Sequence, residues 1–346
     1  MKTLYGNELT FKTFNYLKVN ETEIKIPDVF KQDFTLPSDR KEEIKEFENI
    51  KYATSEQAIE INKEIGNLYK IFKTKDKEQK DFGILNLETD DIHTELLDTI
   101  DIVAEKNSEL RLVLDYSSKG QKEKFRNSII RILAKENSKV DLFLIQGDDD
   151  KTIASESILV YTKEDSLVNV CQYELGSKNL YTNLTGELIG DRSSLNVNSI
   201  YFGYKDHNLD LLYNVYHRGK KTKADILVNG ALKDNSVKVF KSNLDFKEGS
   251  SESVGNEEEY AILLSDDVTN ISVPLLLCHE DNVIGNHAAS AGKIDSEILF
   301  YIMSRGISEK EAESLIIESK FSGSIDQIAE EKIKEKIWDR VYKVIK

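Results

Sequence analysis

Residues 100–114 read IDIVAEKNSELRLVL, residues 129–145 read IIRILAKENSKVDLFLI, and residues 158–171 read ILVYTKEDSLVNVC. In each, a run rich in Ile, Leu and Val enters a short polar turn ending in serine, and a second such run leaves it. Aliphatic and β-branched runs of this length on both sides of a turn are strand signals. The turn serines Ser108, Ser138 and Ser166 are followed by Ser194 in Arg192-Ser193-Ser194, at a spacing of 28 to 30 residues. Further steps of 28 reach Thr222 and Ser250. A fixed period of this size carried by β-rich units predicts a mainly β fold, a β-solenoid. One unit cannot satisfy its own backbone or bury both faces of its strands, whereas stacked units share an interior and pair with their neighbours. A β-sandwich with irregularly spaced strands is the competing architecture.

Outside the repeat the texture changes. Residues 1–81 form an N-terminal helical and irregular region. Pro27 and Pro37 interrupt its first part, and Ile59, Ile61, Ile65, Leu68, Tyr69 and Ile71 follow helical spacing before a polar loop over 73–81. The solenoid core is placed at 82–292. From 293 to 346 three helices follow: one capped by Asp295 and ended by Gly306, one opened by the capping box Ser308/Glu311 and running to about Ser319, and one from Ile325 to Ile345. Nothing in the sequence marks an intrachain destination for their apolar faces.

The chain carries 47 Lys and Arg against 62 Asp and Glu, a net charge of −15. That balance argues against nucleic acid and anionic membrane as partners, both of which need a positive field. The first residues lack the apolar core of a signal peptide, and no apolar run reaches bilayer length, so a cytoplasmic protein is expected. Cys171 and Cys278 are too far apart in sequence to suggest a disulfide framework or metal knuckle.

Candidate chemistry concentrates between Ser265 and Gly306. The stretch holds Cys278, His279 and His287, which is one of two cysteines and two of five histidines. Cys278 reads first as a small buried hydrophobe at a strand end, and second as a reactive thiol or ligand. His287 stands among the small residues of Gly285-Asn286-His287-Ala288-Ala289, which leave room for an ion or another chain. Asp266 and Asp267 could be the carboxylate pair of a carbohydrate-active β-helix hydrolase, although neighbours on a strand face opposite sides. A purely structural solenoid is a third reading. His93, His207 and His217 offer no constellation, and no phosphate loop, His-Glu-x-x-His or Gly-x-Ser-x-Gly motif occurs.

Residues 285–295, GNHAASAGKID, followed by 298–308, ILFYIMSRGIS, and by Glu311-Ala312, resemble the SufB/SufD family of iron–sulfur cluster assembly proteins. Weaker matches lie at 13–20 (TFNYLKVN), 91–96 (DIHTEL) and 216–222 (YHRGKKT). The resemblance implies a right-handed parallel β-helix flanked by helical regions, with no enzymatic activity of its own. It implies a SufB-like partner in a heterodimer and a SufC-like ATPase docked on the C-terminal helices around Phe300, Tyr301, Arg305 and Gly306; an isolated subunit could form a homodimer. SufB-type chains carry a sulfur-accepting cysteine that would fall near Glu259, where this chain reads Glu257-Glu258-Glu259-Tyr260 without a cysteine, and a glutamate where it has Ala288. Both departures favour a SufD-like chain. In that reading His287 is a candidate iron ligand at the partner interface, with Cys278 a weaker one. No cofactor is held stably by this chain alone; iron or an iron–sulfur cluster is shared transiently with SufB.

Overall fold

In the computed structural model, which describes residues 2–12, 15–29, 32–48 and 50–345, the chain winds into eight stacked coils, each giving one strand to either of two parallel sheets. Ahead of the coils, strands β1 (Lys2–Gly6) and β2 (Thr22–Ile26) pair antiparallel, and helix α1 (Glu56–Ile65) is capped by the Ser55 hydroxyl. The coil strands are β3 (Leu68–Lys73), β4 (Gln79–Thr89), β5 (Glu95–Ala104), β6 (Glu109–Ser118), β7 (Lys124–Ala134), β8 (Lys139–Gly147), β9 (Thr152–Thr162), β10 (Leu167–Glu174), β11 (Asn179–Leu188), β12 (Ser194–Gly203), β13 (Asn208–His217), β14 (Lys223–Leu232), β15 (Val237–Phe246), β16 (Val254–Leu263), β17 (Thr269–Cys278) and β18 (Ile284–Lys293). Odd-numbered strands from β3 to β17 form one sheet and even-numbered strands from β4 to β18 the other. Helices α2 (Ser296–Met303), α3 (Glu309–Ile325) and α4 (Glu331–Ile345) close the chain.

The alternation seen in the sequence builds the interior. Ile100, Ile102 and Ala104 stack in register on Ile130, Ile132 and Ala134 of the next coil, and the two sheets enclose them with Leu110, Leu112 and Leu114. A buried aliphatic side chain of this kind contributes about 1.5–3 kcal/mol.

The turns stack as well. Asn107, Asn137, Asp165, Arg192 and Lys221 adopt left-handed backbone angles, φ between 55 and 58°. Each of their amides donates to a carbonyl of the next coil, for example Asn137 N to Glu164 O at 2.9 Å and Arg192 N to Lys220 O at 2.8 Å. Each following residue closes the turn with its hydroxyl, Ser138 Oγ donating to Lys135 O and Ser166 Oγ to Lys163 O, both at 2.7 Å. The series continues through Ser193, Thr222 and Ser253, not through Ser194 and Ser250: Lys223 N bonds Ser193 O and Val254 N bonds Thr222 O, just as Leu167 N bonds Ser138 O. Turn length varies between coils, so a strict period of 28 loses phase.

Three further expectations are corrected. The apolar spacing over 68–72 belongs to strand β3, and the polar run 73–81 makes a turn and the start of β4, so strand pairing begins upstream of residue 82. Helix α3 continues past Ser319 to Ile325, although its capping box is formed as expected. The C-terminal helices also have an intrachain destination. Ile317, Phe321, Ile325, Ile333, Ile337 and Val341 pack on the outer face of the even-numbered sheet against Phe143, Tyr173, Ile200 and Phe202. Arg111 clamps Glu330 through two hydrogen bonds of 2.7 and 2.6 Å. The N-terminal region covers the other sheet, with Leu4 and Ile24 on Phe125 and Tyr181, and Phe47 on Ile129 and Leu133.

Charges also enter the interior. Arg126, 1% exposed, bonds Asp148 Oδ2 at 3.0 Å and Glu156 Oε2 at 2.9 Å and lies over the Tyr116 ring. Burial, followed by the neighbouring Glu156 carboxylate, pushes the Glu174 carboxyl from 4.5 up to about 8. The native state therefore keeps a proton that the unfolded chain releases near its ordinary value, and stability falls as pH rises between the two. Glu174→Gln should melt at a higher temperature than the unchanged chain at pH 8.5, the gap closing towards pH 4.5. Equal melting curves across that range would contradict the assignment.

Candidate functional site

The solenoid ends at β17 and β18, each paired on one side only, β17 to β15 and β18 to β16. Nearly all of β18 is exposed, because no coil follows to cover it. At Gly285 the strand lies close to the interior, where an added Cβ would stand 2.7 Å from Leu276. His287 lies on this strand in register with Glu257, a buried residue, so it faces the interior side of the last coil while remaining solvent-accessible.

Cys278 pairs in register with Phe246 at the end of β17 and is exposed, contrary to its reading as a buried hydrophobe: the packing that would bury it needs a further coil. It sits on the opposite sheet from His287. His279 turns back towards Asp245, 3.7 Å away. Among the described residues no group of three or more His, Cys, Asp and Glu could hold a metal ion.

Beneath this end, sequence reasoning missed a buried ionic cluster. Lys238, fully buried, bonds Glu259, Ser272 Oγ and Ile271 O, and Tyr201 Oη donates to Glu259 at 3.1 Å. Glu257 beside them has no hydrogen-bond partner, and burial raises its carboxyl to about 7. The available signal was the alternation of β16, which sets Gly255, Glu257, Glu259 and Ala261 on one face; a glutamate pair reads by default as solvent-facing.

The other histidines are structural. His217, fully buried, is stacked on Phe246 and hydrogen-bonded to Thr222, and burial lowers its pKa to about 4. His207 is buried against Asp150 at 3.0 Å, and His93 pairs with Asp90. Asp266 and Asp267 are exposed in the turn between β16 and β17. A hydrogen bond from Lys293 lowers the Asp266 carboxyl, the opposite of what a general acid needs. Thr13 and Phe14, which open one of the weaker matching stretches, lie outside the described residues.

Helix α2 follows the last coil directly. Asp295 caps it by accepting from Glu297 N at 2.8 Å, and Gly306, φ 88°, lies just beyond its end. Unlike α3 and α4 it buries no residue: Ile298, Phe300, Tyr301 and Met303 are all exposed, Phe300 at 73%. Arg305 lies over the Tyr301 ring.

A protein-family model described as the SUF system FeS cluster assembly, SufBD core domain, matches residues 87–320. The chain belongs to the SufBD family. It is 25% identical over 261 residues to the iron–sulfur cluster assembly protein SufD of Bacillus subtilis, covering 73% of this chain and 58% of that one. It is 25% identical to a SufBD family protein of Methanothermobacter thermautotrophicus, covering 65% and 55%, and 24% identical to SufD of Escherichia coli, covering 51% and 42%. The chain spans about half the length of these curated relatives. The SufBD match runs from the end of β4 through β18, α2 and most of α3. No helix among the described residues is long and apolar enough to cross a membrane.

The two thiols of this SufBD-family chain should differ sharply. Burial pushes the Cys171 thiol up to about 12, and its Sγ donates to Gln327 under the C-terminal helices. Iodoacetamide at pH 8 should modify Cys278 in minutes and reach Cys171 only after denaturation. Comparable labelling of both in the native chain would contradict this packing.

Proposed function

We propose that the chain is a SufD-like, non-enzymatic scaffold subunit of iron–sulfur cluster assembly. It pairs with a SufB-like subunit through the open end of its solenoid, and α2 docks a SufC-like ATPase. The observation that carries this reading is the open end itself: two ten-residue strands with unpaired edges, bearing an accessible imidazole and followed by an exposed apolar helix. Backbone groups left unpaired along a strand are a template for another chain. A short helix exposing Phe300 and Tyr301 gains stability only against an apolar partner surface.

The chemistry of the end suits half of a shared site. His287 offers one nitrogen ligand for the iron or cluster that is the cargo, and thiolate ligands would come from the SufB-like subunit. The SufB-type cysteine would fall near Glu259, whose buried carboxylate is paired with Lys238. A carboxylate lacks the thiolate sulfur that a persulfide needs, which favours the SufD-like role. Cys278, exposed on the facing strand, is a secondary ligand candidate. In isolation the same edges could close on a second copy of the chain.

The test is co-purification with SufB-like and SufC-like subunits, followed by cluster assembly in the complex. His287→Ala should leave the complex intact and lower cluster yield at least several-fold. An intact complex with unchanged yield removes the ligand role, and failure to recover any complex removes the scaffold role.

A further inference from the structure

A file of amides and carboxylates runs along the outer face of the even-numbered sheet to its open edge. Strand register aligns Asp141, Asn169, Asn196, Asp225, Asn256 and Asn286, one from each successive coil. Their hydrogen bonds all point one way. Asn169 Nδ2 donates to Asp141 at 2.7 Å, Asn196 Nδ2 to Asn169 at 2.9 Å, Asn256 Nδ2 to Asp225 at 2.7 Å, and Asn286 Nδ2 to Asn256 at 2.8 Å. The direction is imposed by chemistry. An ionised aspartate only accepts, so Asn256 must turn its Nδ2 to Asp225 and its Oδ1 to β18. Asn286 must then donate to Asn256, and its own Oδ1 faces the edge, where no further coil supplies a donor.

The rest of β18 says little about register. Gly285, Ala288, Ala289, Ser290, Ala291 and Gly292 carry almost no side chain, and flat, featureless strands of this kind are prone to slip. A slip of one residue would turn a partner's side chains to the wrong face; a slip of two would keep the face and escape notice unless a side chain detects it. Asn286 is placed to do so, one residue from His287, whose presentation depends on the register chosen.

We propose that Asn286 is a specificity-determining residue that sets the register of the strand added to β18, its Oδ1 accepting from an Asn, Gln, Lys or Arg side chain opposite it. In either strand sense, residues directly opposite share a face and lie close enough to bond. The inference rests on the reading that a SufB-like subunit covers the open end, and names the contact that aligns the two.

The experiment measures the dissociation constant of the full-length chain with the SufB-like subunit, using Asn286→Ala, Asn286→Asp, Asn286→Lys and, on the same face, Ser290→Ala. Asn286 is exposed, and a melting curve for each variant checks folding. Asn286→Ala should weaken binding about fivefold to tenfold. Asn286→Asp, which keeps the acceptor, should bind at least threefold more tightly than Asn286→Ala. Asn286→Lys, which sets a donor against a donor, should bind more weakly than Asn286→Ala, and Ser290→Ala should stay within twofold of the unchanged chain. If the unchanged chain binds while Asn286→Ala matches it, or Asn286→Asp is no better than Asn286→Ala, the register role falls and the scaffold reading stands. If the unchanged chain does not bind, both fall.

Discussion

In a solenoid the backbone amides and carbonyls of each coil are satisfied by the coils on either side, and everything else in this chain follows from that dependence. Within the stack it allows Lys, Arg and Asp to take left-handed turn positions usually left to Gly or Asn, because the amide released by each bend donates to the next coil. At the end of the stack it leaves two edges without neighbours. The outer faces of the sheets are largely covered by the chain's own terminal regions, and at the C-terminal end of the stack the edges of β17 and β18 and the apolar face of α2 stay exposed.

Much of this is legible in sequence where a local rule decides it. The runs around Ser108, Ser138 and Ser166 announce strands and turns because aliphatic alternation and turn chemistry agree, and Asp295, Ser308 and Glu311 mark helix starts because capping is local. Residues 68–72 mislead because Leu68, Tyr69, Ile71 and Phe72 fit either period, and the choice is made by pairing with β5, which sequence spacing does not contain. The phase error at Ser194 and Ser250 arises from turns of unequal length. The destination of α3 and α4 is equally non-local: Phe143 and Phe202 lie on strands whose outward positions cannot be identified until the sheets are assembled.

The site divides in the same way. His287 is found by the motif that carries it, but its face and its openness come from register with Glu257 and from the absence of a further coil. The cluster of Lys238, Glu257 and Glu259 is invisible in sequence, since charged residues on a strand read as outward. Burying an ion pair recovers its desolvation cost only with further hydrogen bonds, and Tyr201 and Ser272 supply them to Glu259 and Lys238. Glu257 makes no hydrogen bond of normal geometry, and burial favours its neutral form. The interior below the open end thus holds Glu259 in a hydrogen-bonded ion pair and leaves Glu257 beside it unpaired.

We propose that the last coil is completed by another subunit, and hydrogen–deuterium exchange of the chain alone and with the SufB-like subunit tests this. Residues 269–293 should exchange fast in isolation and slow markedly in the complex, with little change over β5 to β9. Slow exchange over 269–293 in the monomeric chain, or protection falling elsewhere in the complex, would contradict it.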